Sequence, residues 1–238
     1  FNPQMQEASE SIFSLGNGRM GQRANFEEAY SGASLQGTYI AGVYYPDKTR
    51  VGWWKNGYPE FFAKVLNAPN WIGIRVTIDE EELDLHTCRV LSFRRELNMR
   101  WGYLERTFVA DIGQDRKVEV QARRFLSIVD DEIGAIRYTV KPLNFDGEVT
   151  MTPYLDGNVK NRDSNYGETF WDILQADASD GKAYLLSRTK KSHFLVSFSM
   201  AYDLLLNEKP VRVKAGIIKK EGFVGNNVSH HLRAGDAL

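Results

Sequence analysis

Residues 117–128 read KVEVQARRFLSI, and this stretch decides the fold class. Five apolar side chains lie at even-numbered positions: Val118, Val120, Ala122, Leu126 and Ile128. Charged or amide side chains occupy the odd-numbered positions from 117 to 123. Successive side chains of a strand point to opposite faces, so the pattern predicts a strand with one face on a core and one toward water.

The same period of two returns through most of the sequence after residue 71. It is visible in residues 72–78, 104–112, 136–140, 149–154, 194–200 and 211–217, although Arg106 interrupts the second of these runs. Short polar or glycine-containing turns separate the runs, for example at 79–82, 113–115 and 179–181. Many strands joined by short turns are typical of an all-β sandwich or barrel built from antiparallel strands.

The first 70 residues or so do not follow this pattern. They are rich in glycine and aromatic residues and predict long loops with short pieces of strand or helix. A second long loop is expected at 156–168, and loops of this length are often functional. No repeat or linker divides the chain, so residues 1–238 are expected to form one β-sandwich domain with a loop-rich N-terminal segment. The chain begins at Phe1 rather than methionine, which suggests a piece of a longer protein.

Charge and cysteine content exclude several functions. The chain carries 30 Lys and Arg against 31 Asp and Glu, so we expect no nucleic-acid partner. No apolar run approaches the ~20 residues of a membrane span, and we expect no membrane partner. One cysteine, Cys88, and four histidines without metal-site spacing predict neither a disulfide framework nor a metal site.

Gly16, Gly18 and Gly21 satisfy the GxGxxG spacing of a dinucleotide-binding turn. That site needs a buried strand before the glycines, a helix after them and an acidic residue about 20 positions later. Gly32 and Gly37 limit any following helix, and residues 36–40 contain no acid. The glycines therefore indicate turns with positive φ, and no cofactor is predicted.

No residue of the chain qualifies as a catalytic group. A glycosidase needs one carboxyl group kept protonated by burial and a second group that acts across the sugar ring. The acidic runs at 79–82 and 130–132 are better explained as solvated turns. Glu168 and Asp172 flank Phe170 and Trp171 in an arrangement that could border a sugar, but structural loop residues beside a core tryptophan are the better explanation.

Aromatic residues are the better functional signal. They crowd residues 39–62, interleaved with glycines, and aromatic rings stack on the apolar faces of sugars. We therefore take four residues as a candidate rim that faces substrate or another domain: Tyr44, Trp53, Trp54 and Trp171. Packing against a neighbouring domain or subunit would explain the same rings.

Several ordered blocks resemble the N-terminal domain of glycoside hydrolase family 65. They are ESIFSLGNGRMGQRANFEE at 10–28, GTYIAGVYY at 37–45, LNAPNW at 66–71, LDLHTCRVLSFRRELNMRWGYLERTF at 83–108, RRFLSIVDDEIGAIRYTVKPLNFDGEVTM at 123–151 and LDGNVKN at 155–161. The resemblance covers most of the chain and is weaker over the last 35 residues or so. The family includes maltose, trehalose and kojibiose phosphorylases and acid trehalases.

The resemblance implies a galactose mutarotase-like super-sandwich followed, elsewhere in the enzyme, by a catalytic (α/α)6 barrel. It implies inverting attack of inorganic phosphate, or of water in hydrolytic members, on a disaccharide. Phosphate would then be a co-substrate, and the missing barrel and a second subunit in a homodimer would be partners. No residue of this chain matches the family's catalytic set, and the choice between phosphorylase and hydrolase stays open.

Three hypotheses follow from these observations. The first is an accessory domain of a family 65 enzyme, inactive alone, which shapes the active-site mouth and the contacts between domains and subunits. The second is a free-standing carbohydrate-binding β-sandwich. The third is an aldose-1-epimerase-like enzyme, for which His193 would be the only histidine in a strong strand. A cytoplasmic location is expected, with a periplasmic or secreted one left open.

Overall fold

The computed structural model describes residues 1–49, 59–162 and 168–238. Trp53 and Trp54 of the candidate rim lie outside the described residues. Before residue 70 the chain forms loops with short regular elements, as the sequence predicts. These elements are a 3-10 helix at Pro3–Met5, α1 (Gln6–Ile12), β1 (Leu15–Gly16), β2 (Met20–Gln22), β3 (Thr38–Ile40), β4 (Tyr44–Lys48) and β5 (Phe61–Val65).

The glycine cluster lies in a strand–turn–strand unit. β1 and β2 pair antiparallel, and Gly18 in their turn has φ +89°. Asn17 stabilises the turn because its Oδ1 accepts the backbone N–H groups of Arg19 at 3.0 Å and Met20 at 2.7 Å. A second strand thus follows the glycines, where a dinucleotide site would require a helix.

After residue 70 the described chain is almost entirely β-structure. The strands are β6 (Ile74–Ile78), β7 (Glu81–Glu82), β8 (Arg89–Asn98), β9 (Tyr103–Asp111), β10 (Lys117–Leu126), β11 (Gly134–Pro142), β12 (Gly147–Asp156), β13 (Trp171–Ser179), β14 (Lys182–Thr189), β15 (Leu195–Ala201), β16 (Leu205–Leu206), β17 (Lys209–Pro210), β18 (Gly216–Lys220) and β19 (Phe223–Leu232). All of the described strand pairs are antiparallel.

Two large sheets form the sandwich. One has the order β11-β10-β9-β8, and the other has the order β18-β19-β12-β6-β7. Their facing side chains form the first core: Val76, Ile78, Phe108, Ala110, Val118, Val120, Val140, Val149, Met151, Val228 and Leu232. The register sets Val120 opposite both Phe108 and Val140, so the alternation of the sequence places these side chains on one face.

A second core lies at the other end of β12 and β19. The three-stranded sheet β13-β14-β15 and the β4-β5 ribbon contribute to it. Its buried members include Tyr45, Leu155, Phe170, Trp171, Leu185, Phe198 and Val224. Leu155 lies on β12 and Val224 on β19, so these two long strands connect both cores and hold the smaller sheet against the sandwich.

Two predictions about single residues are wrong. Ile128 was expected to continue the apolar face of β10, but that strand ends at Leu126 and Ile128 is 81% exposed. His193 was expected in a strong strand, but it lies in the turn between β14 and β15 with φ +57°. Without a strand to place His193 in a sheet concavity, the epimerase hypothesis loses the residue on which it depended.

Candidate functional site

The inner face of the four-stranded sheet carries charge at one end. Arg106 on β9 and Arg124 on β10 point inward, and both side chains are less than 5% exposed. Glu27 and Glu28, from the loop that precedes β3, lie between them and are also buried. We call these four residues the charged layer.

Each arginine of the charged layer is matched to a carboxylate. Arg106 donates from Nη1 and Nη2 to the two oxygens of Glu28 at 2.5 Å each, and from Nη2 to Glu27 Oε2 at 2.7 Å. Arg124 donates from Nη1 to Glu27 Oε1 at 2.7 Å. Two-pronged pairs of this kind fix both partners in position, so the layer ties the N-terminal loop to the sheet.

Backbone and hydroxyl groups complete the layer. Arg124 also donates to the carbonyl oxygens of Asn25 at 2.9 Å and Arg23 at 2.7 Å. The Tyr138 hydroxyl donates to Glu28 Oε2 at 3.1 Å. Buried charges without such partners are strongly destabilising, and here the two arginines balance the two glutamates.

The pKa shifts follow from this geometry. Burial alone raises the pKa of Glu27, but Arg124 and Arg106 outweigh burial and hold that pKa below its ordinary value. Burial lowers the pKa of Arg106, yet Glu28 and Glu27 raise it above its ordinary value overall. Arg124 has a lowered pKa because burial and repulsion from Arg106 exceed the attraction of Glu27. Glu27 is therefore a fixed anion and unsuited to donate a proton.

A buried carboxylate outside the charged layer anchors α1. Glu10 is fully buried and accepts hydrogen bonds from Gln6 Nε2 at 2.9 Å, Ser34 Oγ at 2.7 Å and the Leu35 backbone N–H at 2.5 Å. Arg95 on β8 donates to Gln6 Oε1 at 2.8 Å. The helix and the loop after β2 are thus fixed to the same sheet by polar contacts.

The candidate rim residues occupy different environments. Tyr44 on β4 is 44% exposed, and its ring lies 5.4 Å from the ring of Phe194. Trp171 is 5% exposed and donates its indole N–H to the Asn67 carbonyl at 2.9 Å. Tyr44 therefore offers a free aromatic face, whereas Trp171 contributes to the second core.

Tyr44 belongs to an exposed aromatic surface that we call the aromatic ribbon, formed by β4 and β5. Tyr44, Phe61 and Val65 share its outer face and are 44% to 62% exposed. On the opposite face Phe62 is also 44% exposed, but the other side chains are buried: Tyr45 packs on Phe170 with ring centroids 4.6 Å apart, and Lys64 pairs with Asp47. The ribbon is thus held firmly while its outer rings face solvent.

Asp172, one of the two carboxylates beside Trp171, is held by an ion pair. Asp172 pairs with Arg188 of the adjacent strand at 3.3 Å. At the predicted turn 79–82, Asp79 is not simply solvated: its Oδ1 accepts the Glu148 N–H at 2.8 Å, and Arg116 donates to its Oδ2 at 3.1 Å. Within the described ranges, no group of three or more His, Cys, Asp or Glu side chains could hold a metal ion.

A second exposed apolar surface lies where two hairpins of the four-stranded sheet end. The register places Asn98 opposite Tyr103, and Tyr103 opposite Phe125, so the β8–β9 turn and the β10–β11 loop are neighbours. We call their exposed side chains the hairpin end: Met99 (87%), Trp101 (70%), Phe125 (44%), Ile128 (81%), Val129 (92%) and Ile133 (53%). Clustered exposure of this kind marks interaction sites.

The glycine turn supports the hairpin end. Asn17 Nδ2 donates to the carbonyl oxygens of Ser127 at 2.6 Å and Asp131 at 2.9 Å. Arg19 pairs with Glu132 at 2.8 Å. The turn at 16–21 therefore holds the β10–β11 loop in place.

Comparison with known proteins identifies the family of the chain. The sequence model for "Glycosyl hydrolase family 65, N-terminal domain" matches residues 1–238. The chain belongs to glycosyl hydrolase family 65. It corresponds to the N-terminal domain of this family, which confirms the resemblance seen in the sequence blocks.

Several similar proteins are named as phosphorylases. The maltose phosphorylase of Bacillus subtilis (strain 168) is 45% identical over 98% of the chain, which spans 31% of that enzyme. The alpha,alpha-trehalose phosphorylase of Thermoanaerobacter brockii is 32% identical over 83% of the chain, which spans 27% of it. The chain thus covers less than a third of the length of these relatives.

A solved structure supports the family 65 fold. A human-microbiome protein provisionally named a kojibiose phosphorylase matches the whole chain with a TM-score of 0.85 and 26% identity, over 30% of its own length. The predicted all-β antiparallel super-sandwich is confirmed. No helix in the described part of the chain is long and apolar enough to cross a lipid bilayer.

Sequence reasoning missed the charged layer and the hairpin end. A signal for the first was present, because Arg106 and Arg124 occupy inward positions of alternating strands and the adjacent acids Glu27 and Glu28 balance them. The hairpin end had a weaker signal: Ile128 and Val129 continue an apolar run past the last paired residue of β10.

Proposed function

We propose that this chain is the N-terminal accessory domain of a disaccharide phosphorylase that cleaves maltose with inorganic phosphate. The observation that carries the proposal is the alignment with maltose phosphorylase: 45% identity over 98% of the chain. The chain spans 31% of that enzyme, so the reaction is assigned to the whole enzyme and the supporting role to residues 1–238.

The proposed chemistry is phosphorolysis with inversion. Phosphate attacks the anomeric carbon of the glucosyl unit while a carboxylic acid protonates the departing glycosidic oxygen. Inversion of an α-glucoside gives glucose and β-glucose 1-phosphate. Such an acid needs a raised pKa, and the buried Glu27 has a lowered one. We assign the general acid to the catalytic barrel that the family resemblance implies for the rest of the enzyme.

The two exposed surfaces fit an accessory role. We assign the aromatic ribbon, which includes Tyr44, to the rim of the active-site mouth. Trp53 and Trp54, which lie outside the described residues, are assigned to the same rim from the sequence alone. The hairpin end is assigned to the contact with the catalytic barrel, because exposed apolar clusters of this size are uncommon on surfaces that stay in water. A homodimer of the whole enzyme is part of the same proposal.

Product analysis of the whole enzyme tests the reaction. We expect maltose consumption to require phosphate and to release equal amounts of glucose and β-glucose 1-phosphate, as seen by anomer-resolved NMR. Two molecules of glucose per maltose, formed without phosphate, would contradict phosphorolysis and identify a hydrolase instead.

Substitutions at the ribbon test its assignment to the rim. Tyr44→Ala in the whole enzyme should raise KM for maltose several-fold with little change in kcat, since ring stacking contributes to binding rather than to bond cleavage. Ile217→Ala, which changes a 51% exposed residue on β18, is the matched control. If the two variants behave alike, the ribbon does not border the substrate.

A further inference from the structure

Two sheet edges line one groove beside the hairpin end. β11 forms one edge of the four-stranded sheet, and β15 forms one edge of the three-stranded sheet. A cavity of about 540 Å³ is lined by both edges, and a second of about 600 Å³ continues it past Trp71, Gly134 and Ser199, which line both. We call the combined space the edge groove.

Hydrogen bonds of the β11 backbone identify the N–H and C=O groups that point away from β10. The Val140 N–H donates to the Leu238 carbonyl at 2.9 Å, and the Leu238 N–H donates to the Val140 carbonyl at 3.1 Å. The Gly235 N–H donates to the Pro142 carbonyl at 2.8 Å. Residues 235–238 therefore run antiparallel to β11 at its outer edge.

The remainder of that edge is open. Backbone groups of a paired strand alternate in direction, so Ile136 and Tyr138 point outward like Val140, while Arg137 and Thr139 point to β10. Among the described strands, none lies beside β11 at residues 134–138. An open row of donors and acceptors is a template for another strand.

β15 lines the edge groove opposite β11, and its side chains leave room for an added strand. The side chains of β15 that face away from the second core are small or of moderate size: Leu195, Ser197, Ser199 and Ala201. The lining mixes polar and apolar side chains, and Trp71 and Ile74 supply apolar surface within it. A Cβ atom on Gly134 would lie 2.2 Å from Trp71, so glycine at this position lets the indole lie directly against the β11 backbone.

We propose that the edge groove binds an extended strand from the remaining two-thirds of the same enzyme, which adds antiparallel to β11. The proposal rests on the proposed function, since it assumes a longer enzyme like the relatives. The strand would extend the ladder that Leu238 makes with Val140 and present apolar side chains to Trp71 and Ile74. Strand addition of this kind obtains affinity from backbone hydrogen bonds and specificity from alternate side chains.

Residue-resolved amide hydrogen exchange tests the proposal. We expect the Ile136 and Tyr138 amides to exchange at least ~100-fold more slowly in the whole enzyme than in the 238-residue chain. The Arg137 and Thr139 amides, already bonded to β10, should change less than about threefold and serve as internal controls. Equal exchange of Ile136 and Tyr138 in both proteins would overturn the proposal.

A pair of serine variants links the protection to the groove. Ser199→Arg places a large cation in the edge groove and should restore fast exchange at Ile136 and Tyr138 in the whole enzyme. Ser92→Arg makes the same change at an exposed serine of β8, on the far edge of the four-stranded sheet, and should leave the protection intact. If Ser199→Arg fails to fold, the difference in amide exchange between the unmodified whole enzyme and the unmodified 238-residue chain still tests the proposal.

The outcomes separate this inference from the proposed function. Phosphorolysis without protection of Ile136 would reject the strand and keep the enzyme assignment. Protection in an enzyme that hydrolyses maltose would keep the strand and reject phosphorolysis. Protection that appears in the 238-residue chain alone and increases with its concentration would identify a second copy as the occupant and overturn the proposal.

Discussion

Along one strand, the inner face of the four-stranded sheet changes from apolar packing to buried ion pairs. On β9, Phe108 and Ala110 pack on the five-stranded sheet in an apolar layer, whereas Arg106, two residues away on the same face, belongs to the charged layer. Apolar burial is non-directional and tolerates small shifts of its partners. Buried ion pairs require correct partners and geometry, so the charged layer specifies where the N-terminal loop lies.

Removal of one charge from the charged layer should cause the largest loss of stability among these variants. Arg106→Met leaves Glu28 buried without its guanidinium partner and should lower the free energy of unfolding by about 3–5 kcal/mol. Urea denaturation of the 238-residue chain measures this change. The double variant Arg106→Met, Glu28→Gln should recover part of the loss, because it removes the orphaned charge. A double variant less stable than the single one would show that charge pairing is not the cause.

A truncation in the apolar layer should cost less. Val120 is fully buried between Phe108 and Val140, and Val120→Ala removes two methyl groups and leaves a small cavity. We expect a loss of about 2 kcal/mol in the free energy of unfolding. The loss should be the same at pH 7 and pH 4, since neither Val120 nor its cross-strand partners Phe108 and Val140 are ionisable. A loss of stability that depends on pH would show that the apolar layer is energetically coupled to the charged layer, and it would contradict the comparison.

Acidification should weaken the charged layer selectively. The folded pKa of Glu27 lies below its unfolded value of about 4.5, so the unfolded chain binds the proton first. The contribution of Glu27 is therefore complete above pH 4.5 and is lost as the pH falls through the folded pKa. Denaturation between pH 7 and pH 3 should show a smaller pH dependence for Glu27→Gln than for the unmodified chain. Parallel profiles would contradict a depressed pKa.

An exposed ion pair should have the smallest effect. Arg19 and Glu132 pair at 2.8 Å, but their side chains are 50% and 73% exposed. Arg19→Ala should change the free energy of unfolding by no more than about 0.5 kcal/mol, since water and salt screen such pairs. Measurement at two salt concentrations checks this directly. A loss comparable to that of Arg106→Met would mean that burial does not distinguish the two kinds of pair.

The apolar layer could be predicted from the sequence, whereas the charged layer could not. The first was predictable because β-strands have a period of two, and 118–126 shows it without alignment or structure. Arg106 looked like an interruption because its partners, Glu27 and Glu28, are almost 80 residues away in the chain. Pairing over such a distance leaves no periodic signal, so the charge could be noticed but not explained.

The candidate site was predictable only in part. Aromatic composition pointed to Tyr44, which is exposed, and equally to Trp171, which the Asn67 carbonyl and the second core hold inside. The composition of a segment gives the aromatic residues that it contains, but it does not show which of them face solvent. The edge groove depends on which strands lie at the ends of their sheets, and that order is set by pairing between distant segments.

One assay tests most directly the claim that this chain supports chemistry located elsewhere. Purified residues 1–238 and the whole enzyme are incubated separately with maltose and inorganic phosphate, and glucose 1-phosphate is measured. We predict formation by the whole enzyme and none by the 238-residue chain at any concentration tested. Formation of glucose 1-phosphate by the 238-residue chain alone would contradict the accessory role, because it would place the catalytic acid within this domain.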